Sequence, residues 1–395
     1  MQTVLENPLF VPLVLSAVVI CLFPLLAGYI VLVERKVLAD LQVRLGPMRV
    51  GPHGILQPLA DAVKLLLKED TIPGTADRRL FWMAPVISTI TALTSFSVLP
   101  FSESLRVIDV NVGLLVITAM SSVGVLGIII GGWSSNSHYP LLGSLRGTAQ
   151  LISYEVALGL ALVSGVMSAG TLSMVGMVRA QQERGVWFAF DNFGFMFVAF
   201  VLFVIAGIAE TNRAPFDLPE AESELVAGFM TEYSGFRWAL FFLAEYASIF
   251  VIGGAGVTLF LGGWLRPFPN IGWLEIPFNY VFPVGLFLIS GLLSFRLAAR
   301  LTPRSRWRAI LMAICAAALV GIGLLLAVPV INGAVISVFW FFFKVTLIVY
   351  LMIWIRGTFP RFRYDQLMNI GWKCLIPLGM AVVLVNAVIG MARLQ

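Results

Sequence analysis

Long unbroken apolar runs alternate with short polar connectors along the whole chain. The runs fall at about residues 10–33, 82–100, 112–132, 148–170, 188–209, 238–262, 275–297, 308–330, 335–356 and 374–392. A helix needs roughly 20 apolar residues to cross a hydrocarbon core, and each run supplies about that many. A spanning β-barrel would instead show alternating segments of about ten residues. The pattern therefore predicts an all-α integral membrane protein, a polytopic bundle of about ten transmembrane helices, with residues 1–395 forming a single membrane domain.

One connector has a pattern of its own. Within the polar stretch 34–81, Gly46-Pro47 and Gly51-Pro52 break any helix before His53. After them, ILQPLADAVKLLLKED predicts an amphipathic helix over 54–69. Gln57, Asp61, Lys64 and Lys68 share one face, and Ile55, Leu56, Leu59, Val63, Leu66 and Leu67 fill the other. At about 1.5 Å per residue such a helix is too short to span, so it is expected in the interface plane. Taken alone it reads as an interfacial anchor.

Composition agrees with the membrane reading: 59% of residues are hydrophobic, 12% are charged, and mean hydropathy is +0.95. The pI near 9.3 does not call for nucleic acid, because the basic residues sit in short connectors between apolar runs. If the N-terminus lies outside, connectors 34–81, 133–147, 210–237, 296–308 and 356–373 face the cytoplasm and hold twenty Lys and Arg. The opposite segments hold five: Arg106, Arg179, Arg184, Arg266 and Arg393. That bias sets the expected orientation. The first run is longer than a signal-peptide core and reads as a retained anchor. Cys21, Cys315 and Cys374 lie far apart with no CxxC spacing, and His53 and His138 are the only histidines, so no haem, zinc or iron–sulfur site is expected within the chain.

The chemistry concentrates in Glu210 to Arg237, ETNRAPFDLPEAESELVAGFMTEYSGFR, which carries six of the 21 acidic residues against two arginines. Its net charge of about −4 is expected on a connector held at the cytoplasmic membrane face. Asp217 before Leu218-Pro219 suits a helix N-cap, with Glu220 and Glu224 on one face and Glu222 on the other. The plain reading is a well-capped, solvated acidic helix. The chemical reading is that like charges at i, i+4 in a low-dielectric setting share protons, which suits proton uptake more than metal binding. Inside the spans, ionisable residues are costly and mark functional candidates. Glu155 and Glu245 each lie seven residues into a run, about 10 Å deep at helical rise, and Lys344 lies deeper, near mid-membrane. They read either as a polar path inward from the acidic connector or as single residues satisfied by neighbouring helices. The arginines between Arg296 and Arg308 read as anchoring, and Arg361-Phe-Arg-Tyr-Asp365 as either a lipid-facing turn or a protein contact.

The acidic stretch resembles the signature of the quinone-site membrane subunit of proton-pumping NADH:quinone oxidoreductase, respiratory complex I, a family called the H subunit in bacteria and subunit 1 in mitochondria. Three further stretches agree: ERKVLADLQVRLGPMRVGPHGILQPLADAVKLLLKED, GGWSSNSHYPLLGSLRGTAQLISYE and IRGTFPRFRYDQLMNIGWK. Met48, Ala62 and His138 depart from the family pattern at single positions, and residues 270–333 add two helices to the eight the family leads one to expect. The resemblance implies a subunit of an enzyme, not catalytic alone, that forms the membrane part of a quinone tunnel and couples quinone reduction to proton translocation. Quinone would be its substrate, with FMN and iron–sulfur clusters only in partner subunits. Implied quinone contacts are Glu34, Arg35, Leu59, Asp61, Val63, Arg213 and Phe229. Implied coupling residues are Glu155, Glu210, Asp217, Glu220, Glu222, Glu224, Glu245 and Lys344. Implied partners are the hydrophilic arm, small membrane subunits, antiporter-like subunits and membrane lipid, in a bacterial plasma membrane. A homologous subunit of a membrane-bound hydrogenase or ferredoxin-type complex stays open as the alternative.

Overall fold

The apolar runs fold as helices, and polar side chains decide where several of them begin and end. The computed structural model describes residues 10–219, 226–301 and 306–394. Its helices are α1 (Phe10–Leu41), α2 (Gln57–Leu67), α3 (Arg78–Ser97), α4 (Gly113–Ser134), α5 (His138–Ala169), α6 (Met174–Arg184) and α7 (Phe195–Glu210). They continue as α8 (Gly235–Phe260), α9 (Phe282–Leu301), α10 (Arg306–Leu326), α11 (Pro329–Thr358), α12 (Tyr364–Asn369) and α13 (Ile376–Leu394). Among the described residues, nine helices are long and apolar enough to cross a membrane, and α7 is a shorter apolar one of 16 residues. The protein is a polytopic helical membrane protein.

Helix α8 is the core of the bundle. Every residue from Ile249 to Phe260 is buried, as expected of a helix that is apolar all round and enclosed by others. It packs against α1, α3, α7 and α11. Lipid tails are as apolar as leucine, so helices in a bilayer associate through close packing that small residues permit. Gly254 and Gly256 provide it here, letting Leu99 and Phe203 press onto the α8 backbone.

Three boundaries differ from the sequence pattern. Helix α1 does not stop at 33 but runs on to Leu41, so Glu34 is a buried helical residue and not the start of a connector. Helix α5 begins at His138, inside the expected 133–147 connector. Its first turns are too polar to read as a span, yet they bury Pro140, Gly143, Ser144 and Gly147. Glu155 therefore lies seventeen residues beyond the start of its helix and Glu245 ten beyond the start of its own, so the equal depth inferred from run edges does not hold. The fifth run, expected from 188, begins its helix at Phe195 after two single turns at Phe188–Phe190 and Asn192–Gly194. Helix α6, which the pattern missed, is capped by Ser173, whose hydroxyl accepts from Gly176 N at 3.2 Å. The expected amphipathic helix is present as α2, about 17 Å long at 1.5 Å per residue. Helices α9 and α10 pack mainly on each other, with smaller contacts to α11 and to the turn Pro52–Gly54.

Candidate functional site

The first half of α8 separates two spaces of different character. On one side, α1, α2 and α8 enclose a pocket of about 480 Å³ walled by Pro24, Gly28, Leu59, Leu66, Trp238 and Leu243. Its polar end is the Arg35–Asp61 ion pair, at 3.0 Å, with Gln57 Nε2 donating to the second carboxylate oxygen of Asp61 at 2.9 Å. Leu59 and Leu66 remain more than half exposed on the described chain, so the apolar face of α2 is turned outward as well as into the pocket.

On the other side of α8, a smaller cavity of about 130 Å³ lies among α3, α4, α5 and α7. Glu155, Glu210 and Glu245 all line it, together with the hydroxyls of Ser88, Thr91, Thr118 and Ser121. Ser121 donates to Glu210 and Ser122 to Glu155. The second carboxylate oxygen of Glu210, Oε2, is buried with no hydrogen-bond partner among the described residues. Carboxylates from three helices thus converge where bulk water is largely excluded, the setting in which protons are shared.

Arg213 joins the two spaces. Its guanidinium lies 2.8 Å from Glu245, 3.7 Å from Glu34 and 4.1 Å over the Tyr246 ring. Glu245 faces the acidic cavity, while its neighbour Tyr246 lines the apolar pocket. Glu34, only 3% exposed, also pairs with Arg356. This is a buried charge network, stable only while each member keeps its partners. It is held because 211–219 is not a surface connector. Gln150 Nε2 donates to Ala209 O at 2.8 Å and Phe216 O at 2.7 Å, Phe362 N donates to Pro215 O at 3.0 Å, and Phe216 packs on Tyr154 and Phe362.

This charged junction beside an apolar pocket has the layout that the sequence resemblance implies. A family profile described as NADH dehydrogenase matches residues 13–387. The second of two NADH-quinone oxidoreductase H subunits of Solibacter usitatus is 66% identical over 391 residues, covering 99% of each chain. The first H subunit of Koribacter versatilis is 54% identical over 369 residues, 90% of this chain and 86% of that one. The chain belongs to the H-subunit family of NADH-quinone oxidoreductase.

Within this family member, the expected site residues separate into groups. Arg35, Leu59 and Asp61 line the apolar pocket, and Glu34 and Arg213 stand at the junction beside it. Val63 does not line the pocket, and Phe229 lines the acidic cavity instead, on the single turn Gly228–Met230. Asp217 is buried and pairs with Arg361 at 3.1 Å, which makes the Arg361–Asp365 run an internal clasp on the acidic segment. Glu220, Glu222 and Glu224 lie outside the described residues. Lys344 stands apart from the carboxylates: its amine, 3% exposed, donates to Leu261 O at 2.6 Å and Leu265 O at 2.9 Å and lies 4.7 Å over Trp187. Sequence reasoning missed Arg356, which looks like one more anchoring residue at a span end. Near the same end of the bundle, Tyr233 stacks on Phe81 at 4.0 Å, and burial pushes its phenol up to about 12.

Proposed function

We propose that this chain forms the membrane part of the quinone tunnel of its oxidoreductase and couples quinone reduction to proton translocation. The observation that carries the reading is Arg213, which touches Glu34, Glu245 and the Tyr246 wall of the apolar pocket at once. The pocket between α1, α2 and α8 suits a polyprenyl tail, with apolar walls and a single charged end at Arg35 and Asp61. Electrons reach quinone from clusters in the hydrophilic arm, and this chain supplies binding and charge.

Reduction places negative charge on the quinone before protons arrive. Arg35 and Arg213 are the cations nearest the pocket's charged end, and a guanidinium drawn toward that charge changes its share among Glu34 and Glu245. A buried carboxylate that loses its cation takes up a proton. The partnering of Arg213 therefore decides which carboxylate is protonated, and Glu245 opens directly onto the cavity shared by Glu155 and Glu210. From there the effect passes toward the antiporter-like subunits. Asp217, Glu220, Glu222 and Glu224 belong to the segment that begins beside Arg213 and would supply protons from the cytoplasmic face of a bacterial plasma membrane. The basic connectors place the site end of the bundle on that face, with the N-terminus outside. Lys344, at the other end of α8, is left out of this path.

The test is Glu245→Gln in the assembled, membrane-embedded enzyme. Electron transfer from NADH to a hydrophilic acceptor stays normal, while protons moved per quinone reduced fall by more than half. Unchanged proton stoichiometry together with unchanged quinone turnover sinks the coupling reading.

A further inference from the structure

Helix α2 forms one wall of the apolar pocket, yet none of its own residues from Gln57 to Leu67 is buried. Apolar packing within the chain therefore contributes little to where it lies, and its position depends on how its two ends are tied. One end carries the Arg35–Asp61 pair, whose side chains are 49% and 35% exposed, and exposed pairs of this kind hold only weakly. The other end is built differently. Just past α2, Asp70 pairs at 3.0 Å with Arg237, in the first turn of α8. Arg237 is 5% exposed and lies 5.5 Å over both the Phe81 and Trp82 rings of α3. Beside it, Thr71 N donates to Ser234 Oγ at 2.9 Å and the two hydroxyls are 3.1 Å apart. Gly235, at φ +55°, lets the carbonyls of Lys68 and Glu69 lie against the α8 start, where a Cβ would meet Lys68 O at 3.1 Å.

We infer that Arg237 and Asp70, seated on Phe81 and Trp82, are a positioning clamp that sets the spacing of α2 from α8 and so the width of the quinone-tail pocket. The inference rests on the pocket reading above and adds residues that touch no quinone. The three components have different jobs. Phe81 and Trp82 belong to α3, which is anchored in the bundle, so they give the guanidinium a fixed seat. Arg237 fixes its own helix, whose Trp238, Leu240 and Leu243 form the facing wall. Asp70 carries the end of α2 to that seat. Breaking the pair leaves a buried guanidinium without its counter-ion and releases the α2 end while every wall side chain stays in place. Binding of a long tail should then suffer more than turnover of bound quinone.

The experiment measures KM and kcat in the assembled enzyme with a long-tail and a tail-less quinone. Arg237→Gln is expected to raise KM for the long-tail quinone roughly tenfold, with kcat changed less than about twofold and the tail-less substrate little affected. NADH oxidation by ferricyanide reports assembly. If Arg237→Gln fails to assemble, Arg237→Lys, which keeps the charge but loses the fork, carries the same test with a smaller rise. Thr71→Cys with Ser234→Cys, added to either variant and oxidised to a disulfide, replaces the clamp covalently, and KM is expected to return toward the parent value and rise again on reduction. Leu243→Trp, which narrows the pocket directly, separates the two readings. A raised KM in Leu243→Trp with parental KM in the Arg237 variant overturns the clamp alone. Parental KM in both overturns the pocket reading and the clamp with it. A fall in kcat that the disulfide does not reverse, with KM unchanged, also overturns the clamp.

Discussion

The two faces of the first half of α8 border spaces built on opposite principles. Toward α1 and α2 the space is about 480 Å³, apolar-walled, with its charge confined to one end. Toward α3, α4, α5 and α7 it is about 130 Å³ and lined by three carboxylates and a set of hydroxyls. A long apolar ligand needs width and few polar groups, whereas a proton needs closely spaced groups that can trade partners. One helix serves both because Glu245 and Tyr246, adjacent in sequence, point to different sides of it. The contrast locates coupling at the side chain that contacts both of these residues, Arg213.

Breaking that link should give the largest effect. Arg213→Leu leaves Glu245 and Glu34 buried short of a cation, and removing one member of a buried charge network costs about 3–5 kcal/mol. Glu34 keeps Arg356, so most of the loss falls on Glu245. Quinone reduction should be abolished and the thermal midpoint of the assembled enzyme lowered. Adding Glu245→Leu should recover much of the stability without recovering proton translocation. Recovery of both would mean that the junction only holds the fold together.

Glu210→Gln sharpens the contrast from the acidic side. The amide is nearly isosteric and can still accept from Ser121, so stability should change by no more than about 1 kcal/mol. Protons moved per electron should nevertheless fall severalfold, with KM for quinone unchanged. A matching experiment on the apolar side is Leu59→Trp, on the exposed face of α2 where it enters the pocket wall. It should raise KM for long-tail quinone by roughly three- to tenfold and leave proton stoichiometry alone, since ring bulk opposes tail binding but touches no carboxylate. A fall in stoichiometry in Leu59→Trp would show that the two spaces are not separable.

How much of this is legible in the sequence depends on the range of the interaction. Spans follow from contiguous hydropathy, and α2 follows from a periodicity confined to Gln57–Leu67, so both are readable locally. Glu155 and Glu245 stand out because a carboxylate within an apolar run is rare. Their shared cavity does not follow from counting residues. The polar start of α5 at His138 hides seventeen residues of helix before Glu155. The burial of 211–219 is invisible for a similar reason. It depends on Gln150, Phe362 and Arg361, far along the chain, and nothing in ETNRAPFDLPE announces a lid over it. Arg356 escapes notice because an arginine ending a span has an ordinary anchoring explanation, and only its pairing with Glu34 distinguishes it.

The smallest functional effect is expected at the far end of α8. Lys344 is as deeply buried as the junction residues, and its depth alone invites pairing it with the membrane carboxylates. Its contacts say otherwise: the amine meets the carbonyls of Leu261 and Leu265 just past the last turn of α8 and lies over Trp187. A cation at a helix C-terminus is favoured by the unsatisfied carbonyls and the helix dipole, so the arrangement has a structural rationale without any proton path. Lys344→Met should leave those carbonyls short of a donor and destabilise the enzyme by about 1–3 kcal/mol. Quinone KM and proton stoichiometry in the surviving enzyme should stay within about twofold of the parent, because neither space bordered by α8 is disturbed. If stoichiometry instead falls as far as in Glu210→Gln, the polar path extends along α8 to Lys344 and the division drawn at Arg213 is too narrow.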